Sequence, residues 1–419
     1  MFRFTLFLMT FLAIALFTAC GGQSSASAPM PLQTNVAPAG ATPIRHDEIV
    51  RLNLKIEIAG HTPAMYEPPS GAFLGAYIKR DATVDSIKAF EADVGVSHAI
   101  FAYTMALCDE YPLRWILENI ASNKSPFIIL NPPEDDDVYN AQLLAYFAIE
   151  AGRFNVPMFI NLFPLVGDHG FLPSEYIVFF REARSIFAQH APNVALVWGF
   201  DTQNMIASAQ FYPGRNAVDW VHLIIYNDVD ANGAFKDFFA YLDFFYFAYQ
   251  QEGPLIISTA VSHYTLENNS YFTQEAAAKI ERIYSRLQEY PRIKAIIYRN
   301  YNDLHVSGNK YNVNSTQNIS EAYAQATATP HFLNHVDNVR QPEATTIRIQ
   351  SPFRAVMRNS YFYIPLRALV YDARFPYLEM LKGKEIEIGG EMFFAIRDIN
   401  RVSGADFFVD MRRNLLVLR

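Results

Sequence analysis

Eight short apolar or β-branched runs alternate with longer helical patterns from Phe73 onward, and this alternation constrains the fold more than any other feature. It is typical of parallel β/α units, in which a helix follows each strand. The predicted strands are Phe73–Ile78, Ala99–Tyr103, Phe127–Leu130, Met158–Phe163, Ala195–Trp198, Val221–Tyr226, Leu255–Ser258 and Ala295–Tyr298. Eight such units predict an α/β fold, a closed (β/α)8 TIM barrel.

The helical stretches between these strands include Pro173–His190 and Gln274–Glu289, and the eighth predicted helix is Ser320–Thr327. An open, doubly wound sheet is the alternative architecture. Such a sheet usually contains fewer units, and no Gly-rich phosphate loop follows the first predicted strand. We therefore assign residues 46–336 to the barrel.

The first 19 residues form a signal-peptide pattern, with Arg3, an apolar run and small residues before Cys20. The order from Leu16 to Gly22 resembles the bacterial lipobox, whose cysteine becomes the lipidated first residue. The resemblance implies an exported bacterial protein, anchored through Cys20 to the outer face of the cytoplasmic membrane. The alternative is an ordinary secretory signal with an incidental cysteine. Residues 20–45, rich in Gly, Ser, Ala and Pro, are expected to be a flexible tether.

Composition excludes several classes of function. The formal net charge of −8 is wrong for a phosphate-backbone binder, so nucleic acid is not an expected partner. Two cysteines cannot build a disulfide framework or a Cys-rich zinc site, and we expect Cys108 to be buried. Motifs for serine hydrolases, zincins and nucleotide hydrolases are absent. The sequence predicts no metal and no cofactor.

Candidate site residues come from the carboxyl ends of the predicted strands, where TIM barrels keep their ligand groups. Aromatic rings stack on the C–H faces of sugars, and short polar groups bind the hydroxyls. The predicted substrate-binding residues are Tyr77, Tyr103, Asp168, His169, Trp198, Asp201, Tyr226 and Tyr298.

The stretch Tyr212–Val221, which leads into the sixth predicted strand, resembles a motif of glycoside hydrolase family 26, whose members include β-mannanases. Neighbouring segments fit the family in order over roughly residues 73–305: Pro157–Ile160, Pro173–Ile177, Asn193–Trp198 and Pro291–Ala295. The resemblance implies a carbohydrate-active barrel. In the family, the fourth strand bears a glutamate acid/base and the seventh a glutamate nucleophile.

Both implied carboxylates are replaced in this chain. Matching the motifs places Leu165 at the acid/base position and Thr259 at the nucleophile position. Leucine cannot transfer a proton, and an unactivated threonine cannot replace a carboxylate nucleophile. Displaced acids, Asp168 and Asp201, are an alternative as an inverting pair.

A smaller α+β domain is predicted at residues 343–419, beyond a break in the helical pattern near residue 337. It contains 12 basic and 9 acidic residues, in contrast to the acidic barrel. The segments Tyr363–Ala368 and Ser403–Asp410 resemble the copper amine oxidase-like N-terminal domain of exported proteins of Gram-positive bacteria, so the resemblance implies a Gram-positive source. That domain is a stalk and not the copper-bearing catalytic domain, so the resemblance implies attachment or an envelope protein partner.

These observations lead to one main hypothesis and two alternatives. The main hypothesis is a surface-anchored, catalytically inactive barrel that binds polysaccharide or cell-wall glycan. The first alternative is an active mannan-type hydrolase that uses Asp168 and Asp201, and the second is a structural envelope scaffold. The barrel fold by itself does not decide among the three.

Overall fold

The computed structural model describes residues 49–79, 86–133, 141–303 and 308–419. The predicted signal peptide, Cys20 and the whole of the predicted tether lie outside the described residues.

The described strands, in chain order, are β1 (Val50–His61), β2 (Ala72–Ile78), β3 (Ile100–Ala106), β4 (Ser125–Asn131), β5 (Met158–Leu162), β6 (Val194–Asp201), β7 (Trp220–Asn227), β8 (Leu255–Val261), β9 (Tyr264–Thr265), β10 (Ser270–Tyr271), β11 (Ile293–Asn300), β12 (Asn302–Asp303), β13 (Asn309–Lys310), β14 (Phe332–Leu333), β15 (Thr345–Arg358), β16 (Tyr361–Pro365), β17 (Ile386–Ile388), β18 (Glu391–Ala395), β19 (Phe407–Asp410) and β20 (Leu415–Leu418). The α-helices are α1 (Ile87–Val94), α2 (Leu113–Ala121), α3 (Ala141–Gly152), α4 (Pro173–His190), α5 (Phe238–Tyr249), α6 (Thr273–Arg286), α7 (Gln317–Thr327) and α8 (Ile396–Ser403).

Eight parallel strands, β2 to β8 and β11, close into a barrel. Each pairs with the next, and β11 returns to β2 with Ala295 opposite Phe73. All eight strands coincide with predicted ones, and α4 has the predicted bounds. The prediction of a (β/α)8 TIM barrel with a second, smaller sheet domain is confirmed.

Local sequence explains where the barrel helices begin. Pro173 starts α4 at a position where its missing N–H costs no hydrogen bond, and Glu175 lies in the first turn. Asp237 caps α5 by accepting a hydrogen bond from the Phe239 amide at 3.0 Å. Helix α5 is apolar almost all round because it packs against both the barrel strand β7 and the strand β15 of the second sheet.

The second module is a seven-stranded sheet with α8, in the order β17-β18-β16-β15-β1-β20-β19. Strand β1 lies inside this sheet, antiparallel to β15 and parallel to β20. The predicted barrel boundary at residue 46 therefore needs correction, because Val50–His61 belongs to the second sheet. Leu52, Leu54 and Ile56 bury their side chains in the core of that module.

The second module contacts the face of the barrel formed by the amino ends of its strands, here called the rear face. Gln250, in the connection from α5 to β8, exchanges two hydrogen bonds with the Gln350 backbone at 2.7 and 3.0 Å. Asn155, in the connection from α3 to β5, is contacted by Asn338 and Arg340. The opposite face, here called the mouth, carries the carboxyl ends of the strands.

A buried ion pair fixes the chain between β1 and β2 to the rear face. The side chains of Glu67 and Arg292 are 3% and 1% exposed and form a hydrogen-bonded ion pair. Burial alone would raise the pKa of Glu67, but the neighbouring His61 and the charge of Arg292 lower the pKa to about 2. Arg292 Nε also donates to the Gln250 carbonyl at 3.0 Å, which joins the ion pair to the contact between barrel and module.

Cys108 is exposed, which contradicts the expectation of a buried thiol, because the turn after β3 directs it toward solvent. No helix in the described part of the chain is long and apolar enough to span a membrane.

Replacing Glu67 by Gln should lower the free energy of unfolding by about 3–5 kcal/mol, because it leaves the Arg292 charge buried without its counter-ion. Urea unfolding followed by tryptophan fluorescence measures the change. The matched control is Arg153→Met, which breaks the ion pair with Glu150 at a site where the arginine is 63% exposed and should cost less than about 1 kcal/mol. Equal losses in the two variants would contradict a structural role for the buried pair.

Candidate functional site

Strand alternation divides the barrel side chains between the interior and the helix layer. Phe73, Phe127, Phe159 and Trp220 come from four different strands and meet inside the barrel, with ring centroids 5.4–6.5 Å apart. Met65 accepts a hydrogen bond from Trp220 Nε1 at 2.8 Å, so the segment before β2 closes the rear end. In the described part of the chain, packed aromatic side chains therefore fill the rear of the barrel interior.

Above the aromatic residues lies a polar layer formed by Asn161, His222 and Ser258. His222 Nδ1 is 2.9 Å from Asn161 Nδ2, and His222 Nε2 is 2.8 Å from Ser258 Oγ. All three side chains are fully buried. Burial and the nearby Arg299 charge lower the pKa of His222 to about 3, so the imidazole is neutral at pH 7. The layer resembles a serine–histidine pair in outline, but its burial denies a substrate access to Ser258.

Arg299 lies at the mouth above the polar layer, on the inward side of β11. Its guanidinium is 4.6 Å from the ring centroid of Tyr77 and 5.7 Å from those of Tyr226 and Tyr301. Tyr311 packs against Tyr226 and Tyr301, with centroids 5.7 and 5.5 Å apart. We call these four rings the tyrosine cluster. At the mouth, the Arg299 guanidinium is thus surrounded by aromatic rings.

Two of the cluster's hydroxyls are fixed by side-chain hydrogen bonds. Tyr301 donates to the Tyr226 hydroxyl at 3.1 Å, and Tyr311 donates to Asp228 Oδ1 at 2.6 Å. These hydrogen bonds hold the Tyr301 and Tyr311 rings in set orientations beside Arg299.

A groove of about 900 Å³ runs outward from Tyr77 between β2, β3 and the start of α2. Its aromatic lining comprises Tyr77, Tyr103, Tyr111 and Trp115. The Tyr103 ring is 37% exposed and packs against Trp115 with centroids 5.2 Å apart. We call this depression the aromatic groove; it lengthens the mouth into a surface that an extended polymer could follow.

Tyr77, Tyr103 and Tyr226 therefore lie where the sequence analysis expected them, at the mouth or in the groove beside it. Trp198 and Tyr298 do not. Both are fully buried on the outward side of their strands. Trp198 packs against Phe200, Tyr212 and Tyr249, and the Tyr298 hydroxyl donates to the Tyr311 carbonyl at 2.9 Å. Their assignment as substrate-binding residues is wrong because the strand pleat turns them toward the helices.

Asp201 is held in a backbone turn. Its two oxygens accept hydrogen bonds from the amides of Gly167, Gln203 and Asn204 and from the Asn204 side chain, at 2.9–3.1 Å. Four donors occupy this carboxylate, so it organises the loops after β5 and β6.

The two neighbouring candidates lie in the loop after β5. Asp168 is exposed. His169 packs edge-on against Phe211 with centroids 4.9 Å apart, and its Nδ1 accepts from the Phe171 amide at 3.2 Å. Burial lowers the pKa of His169, and the charges of Asp168 and Asp201 oppose that shift.

The positions that motif matching gave to the catalytic carboxylates face away from the mouth. Leu165 and Thr259 are fully buried: Leu165 packs in the helix-facing core, and Thr259 Oγ1 accepts from Asn227 at 2.9 Å. The inward-facing residues near the ends of the fourth and seventh barrel strands are instead Asn161 and Ser258. The assignment of catalytic positions by motif matching thus needs correction. Asn161 and Ser258, the residues that do face inward, carry no carboxylate either.

No group of three or more metal-ligating side chains exists in the described part of the chain.

Three residues at the mouth and in the groove were not predicted from the sequence: Arg299, Tyr301 and Trp115. A period-2 count along β11 places Ala295, Ile297 and Arg299 on one side, so strict alternation could have selected Arg299 in place of Tyr298. Trp115 belongs to a helix, and only the tertiary fold brings it beside Tyr103.

Comparison with solved structures agrees with this architecture. A modular endo-β-1,4-mannanase of glycoside hydrolase family 26 from Cellulomonas fimi matches with a TM-score of 0.51 and 13% identity, over 68% of this chain and 80% of that chain. A family 26 β-mannanase from Bacteroides ovatus matches with a TM-score of 0.45 and 12% identity, over 65% and 92%. No protein-family model and no curated protein matches the chain. The chain therefore has a family 26-like barrel fold, and at these identities the likeness concerns the fold alone.

The neutral state of His222 predicts a pH dependence of stability. The folded protein keeps this imidazole unprotonated down to about pH 3, whereas the unfolded chain takes up the proton near the ordinary pKa of about 6.5. Stability should therefore fall as pH drops from 6.5 toward 4, by up to about 1.4 kcal/mol per pH unit from this residue.

Urea unfolding of wild type and His222→Gln at pH 7.0, 5.5 and 4.5 measures this contribution. The variant should lose that part of the slope, and His335→Gln, at an exposed site, controls for the loss of a histidine as such. An unchanged slope in His222→Gln would show that folding does not lower the pKa of this imidazole.

Proposed function

We propose that the protein binds polysaccharide or cell-wall glycan at the barrel mouth and does not hydrolyse it. The observation that carries this proposal is the continuous aromatic surface formed by the tyrosine cluster and the aromatic groove. Ring faces stack on the C–H faces of sugars, and hydroxyls and amides bind the sugar hydroxyls. The family 26-like fold supports the same class of ligand, because the matched proteins are named as β-mannanases.

The absence of hydrolysis is supported by the chemistry of the inward positions. A retaining glycosidase needs two carboxyl groups about 5–5.5 Å apart. Here the fourth and seventh barrel strands present Asn161 and Ser258, joined through the neutral His222. The displaced-acid alternative is weakened because Asp201 already accepts four hydrogen bonds from the loops that it organises.

The test incubates residues 44–419 with mannan, glucomannan, xylan, mixed-linkage glucan and purified cell wall, and measures both co-sedimentation and release of reducing sugar. Retention on at least one polymer without release is expected. Sugar release that Asp168→Asn or Asp201→Asn abolishes would contradict the binding role and establish a hydrolase. If no polymer retains the protein and no sugar is released, the result supports the scaffold alternative.

Tyr103→Ala should weaken retention on the bound polymer roughly three- to tenfold, because stacking on one exposed ring is worth about 0.5–1.5 kcal/mol. The matched control is Tyr146→Ala, which removes a 59% exposed ring from α3, outside the groove. Affinity electrophoresis in polymer-containing gels measures both variants. Equal retardation of Tyr103→Ala and wild type would remove the groove from the binding surface.

We further propose that Cys20 is lipidated and holds the protein on the outer face of the cytoplasmic membrane. The lipobox-like order before Cys20 supports this proposal. In a Gram-positive host, Cys20→Ser should shift the protein from the membrane fraction to the medium, whereas Cys108→Ser should not, since Cys108 lies on the barrel. Membrane retention of Cys20→Ser, measured by fractionation and immunoblotting, would contradict a lipid anchor.

The second module is proposed to be an attachment or interaction domain similar to the copper amine oxidase-like N-terminal stalk. Its position on the rear face supports this role, because it leaves the mouth free for a ligand.

A further inference from the structure

We propose that Arg299 forms an anion-binding subsite at the barrel mouth, and that the bound glycan carries carboxylates, as in a uronate-containing polysaccharide. This inference rests on the proposed glycan-binding function and names the substrate class of that site.

The first argument is that Arg299 lacks a counter-ion among the described residues. No described acidic side chain forms an ion pair with it, and its Nε is buried without a hydrogen-bond partner. Its described neighbours are the rings of Tyr77, Tyr226 and Tyr301. Cation–π contacts offset only part of the cost of removing a guanidinium from water. An oxyanion would supply the missing charge and accept a hydrogen bond from the unpartnered Nε–H.

The second argument comes from the other buried cations of the barrel. Arg292 is paired with Glu67, and Lys124 lies 2.8 Å from Glu91. These two cations are paired, and the buried Lys294 lies within the influence of the Glu67 charge, whereas no described carboxylate is paired with Arg299. Below Arg299, the described polar layer holds a neutral imidazole, an amide and a hydroxyl, and none of these three groups carries a negative charge.

The third argument concerns the class of anion. Tyr77 is shared between Arg299 and the aromatic groove. A ligand that reaches Arg299 with its acidic group can thus lay a sugar ring along Tyr77 and Tyr103. A planar carboxylate on a pyranose ring satisfies both surfaces, because the guanidinium fork binds carboxylates through two parallel hydrogen bonds.

The net charge of the chain disfavours an acidic ligand, so the inference depends on Arg299 itself. The chain carries a formal charge of −8, so long-range electrostatics oppose binding of an acidic polymer. A preference for such a polymer that is lost with Arg299 would therefore come from this local cation, because binding through the more basic second module would not depend on Arg299.

The test compares the affinities of wild type, Arg299→Met and Arg299→Lys for polygalacturonate, alginate and neutral glucomannan. Wild type should prefer an acidic polymer, and Arg299→Met should lose at least tenfold in affinity for it while affinity for the neutral polymer stays within twofold. Arg299→Lys keeps the positive charge but lacks the planar guanidinium. Its affinity for the acidic polymer should therefore lie between those of wild type and Arg299→Met. The control is Arg286→Met, which removes a cation stacked 3.8 Å above the Phe239 ring on the outer helix layer and should change neither affinity.

Competition against wild type gives a second measurement that does not depend on folding of a variant. Methyl glucuronoside should displace the bound polymer at concentrations at least tenfold lower than methyl glucoside does. Glycerol phosphate is the third arm: stronger displacement by the phosphate would overturn the assignment to a carboxylated sugar.

The outcomes separate this inference from the proposed function. Retention of neutral polymer with no preference for acidic polymer overturns the Arg299 subsite and leaves glycan binding intact. Equal losses of Arg299→Met for both polymers also overturn it, since the arginine would then act on the shape of the mouth. Binding of no polymer overturns both.

Discussion

The alternation of side chains along eight parallel strands is the constraint on which the rest of the structure depends. In a closed barrel, each strand residue faces either the interior or the helices, and its neighbour faces the other way. This rule places Trp220, His222 and Tyr226 on one inward row of β7, from a packed rear end through a polar layer to the open mouth. The last inward residues of the strands therefore contribute to the chemistry at the mouth, together with side chains of the helices and loops beside it.

Most of the barrel could be predicted from the sequence because its signals are local. Runs such as Ile293–Asn300 and the amphipathic pattern of α6 identify strands and helices without knowledge of their partners. The placement of β1 could not be predicted in this way. Its alternating pattern is consistent with any half-buried strand, and its pairing with β15 and β20 joins residues nearly 300 positions or more apart in the chain.

The candidate site was predicted less well, for a different physical reason. Polar and aromatic residues near strand ends were identified correctly as a class, but a shift of one residue reverses the side chain's direction. Tyr298 was chosen although its neighbour Arg299 faces the mouth, and Thr259 was chosen although Ser258 faces inward. Long-range contacts such as Tyr103 with Trp115 have no sequence signature at all.

The position of β1 has a mechanical consequence. The chain enters the described structure at Ile49 and runs through the middle of the seven-stranded sheet, bonded along its length to β15 and at four residues to β20. A pull on the amino-terminal side, against a load held at the mouth, would stretch these ladders along the strand direction. Many interstrand hydrogen bonds would then share the load in shear, and they would not open one after another as in a peeled edge strand. The sheet on the rear face would thus carry tension from either side before the barrel strands were deformed.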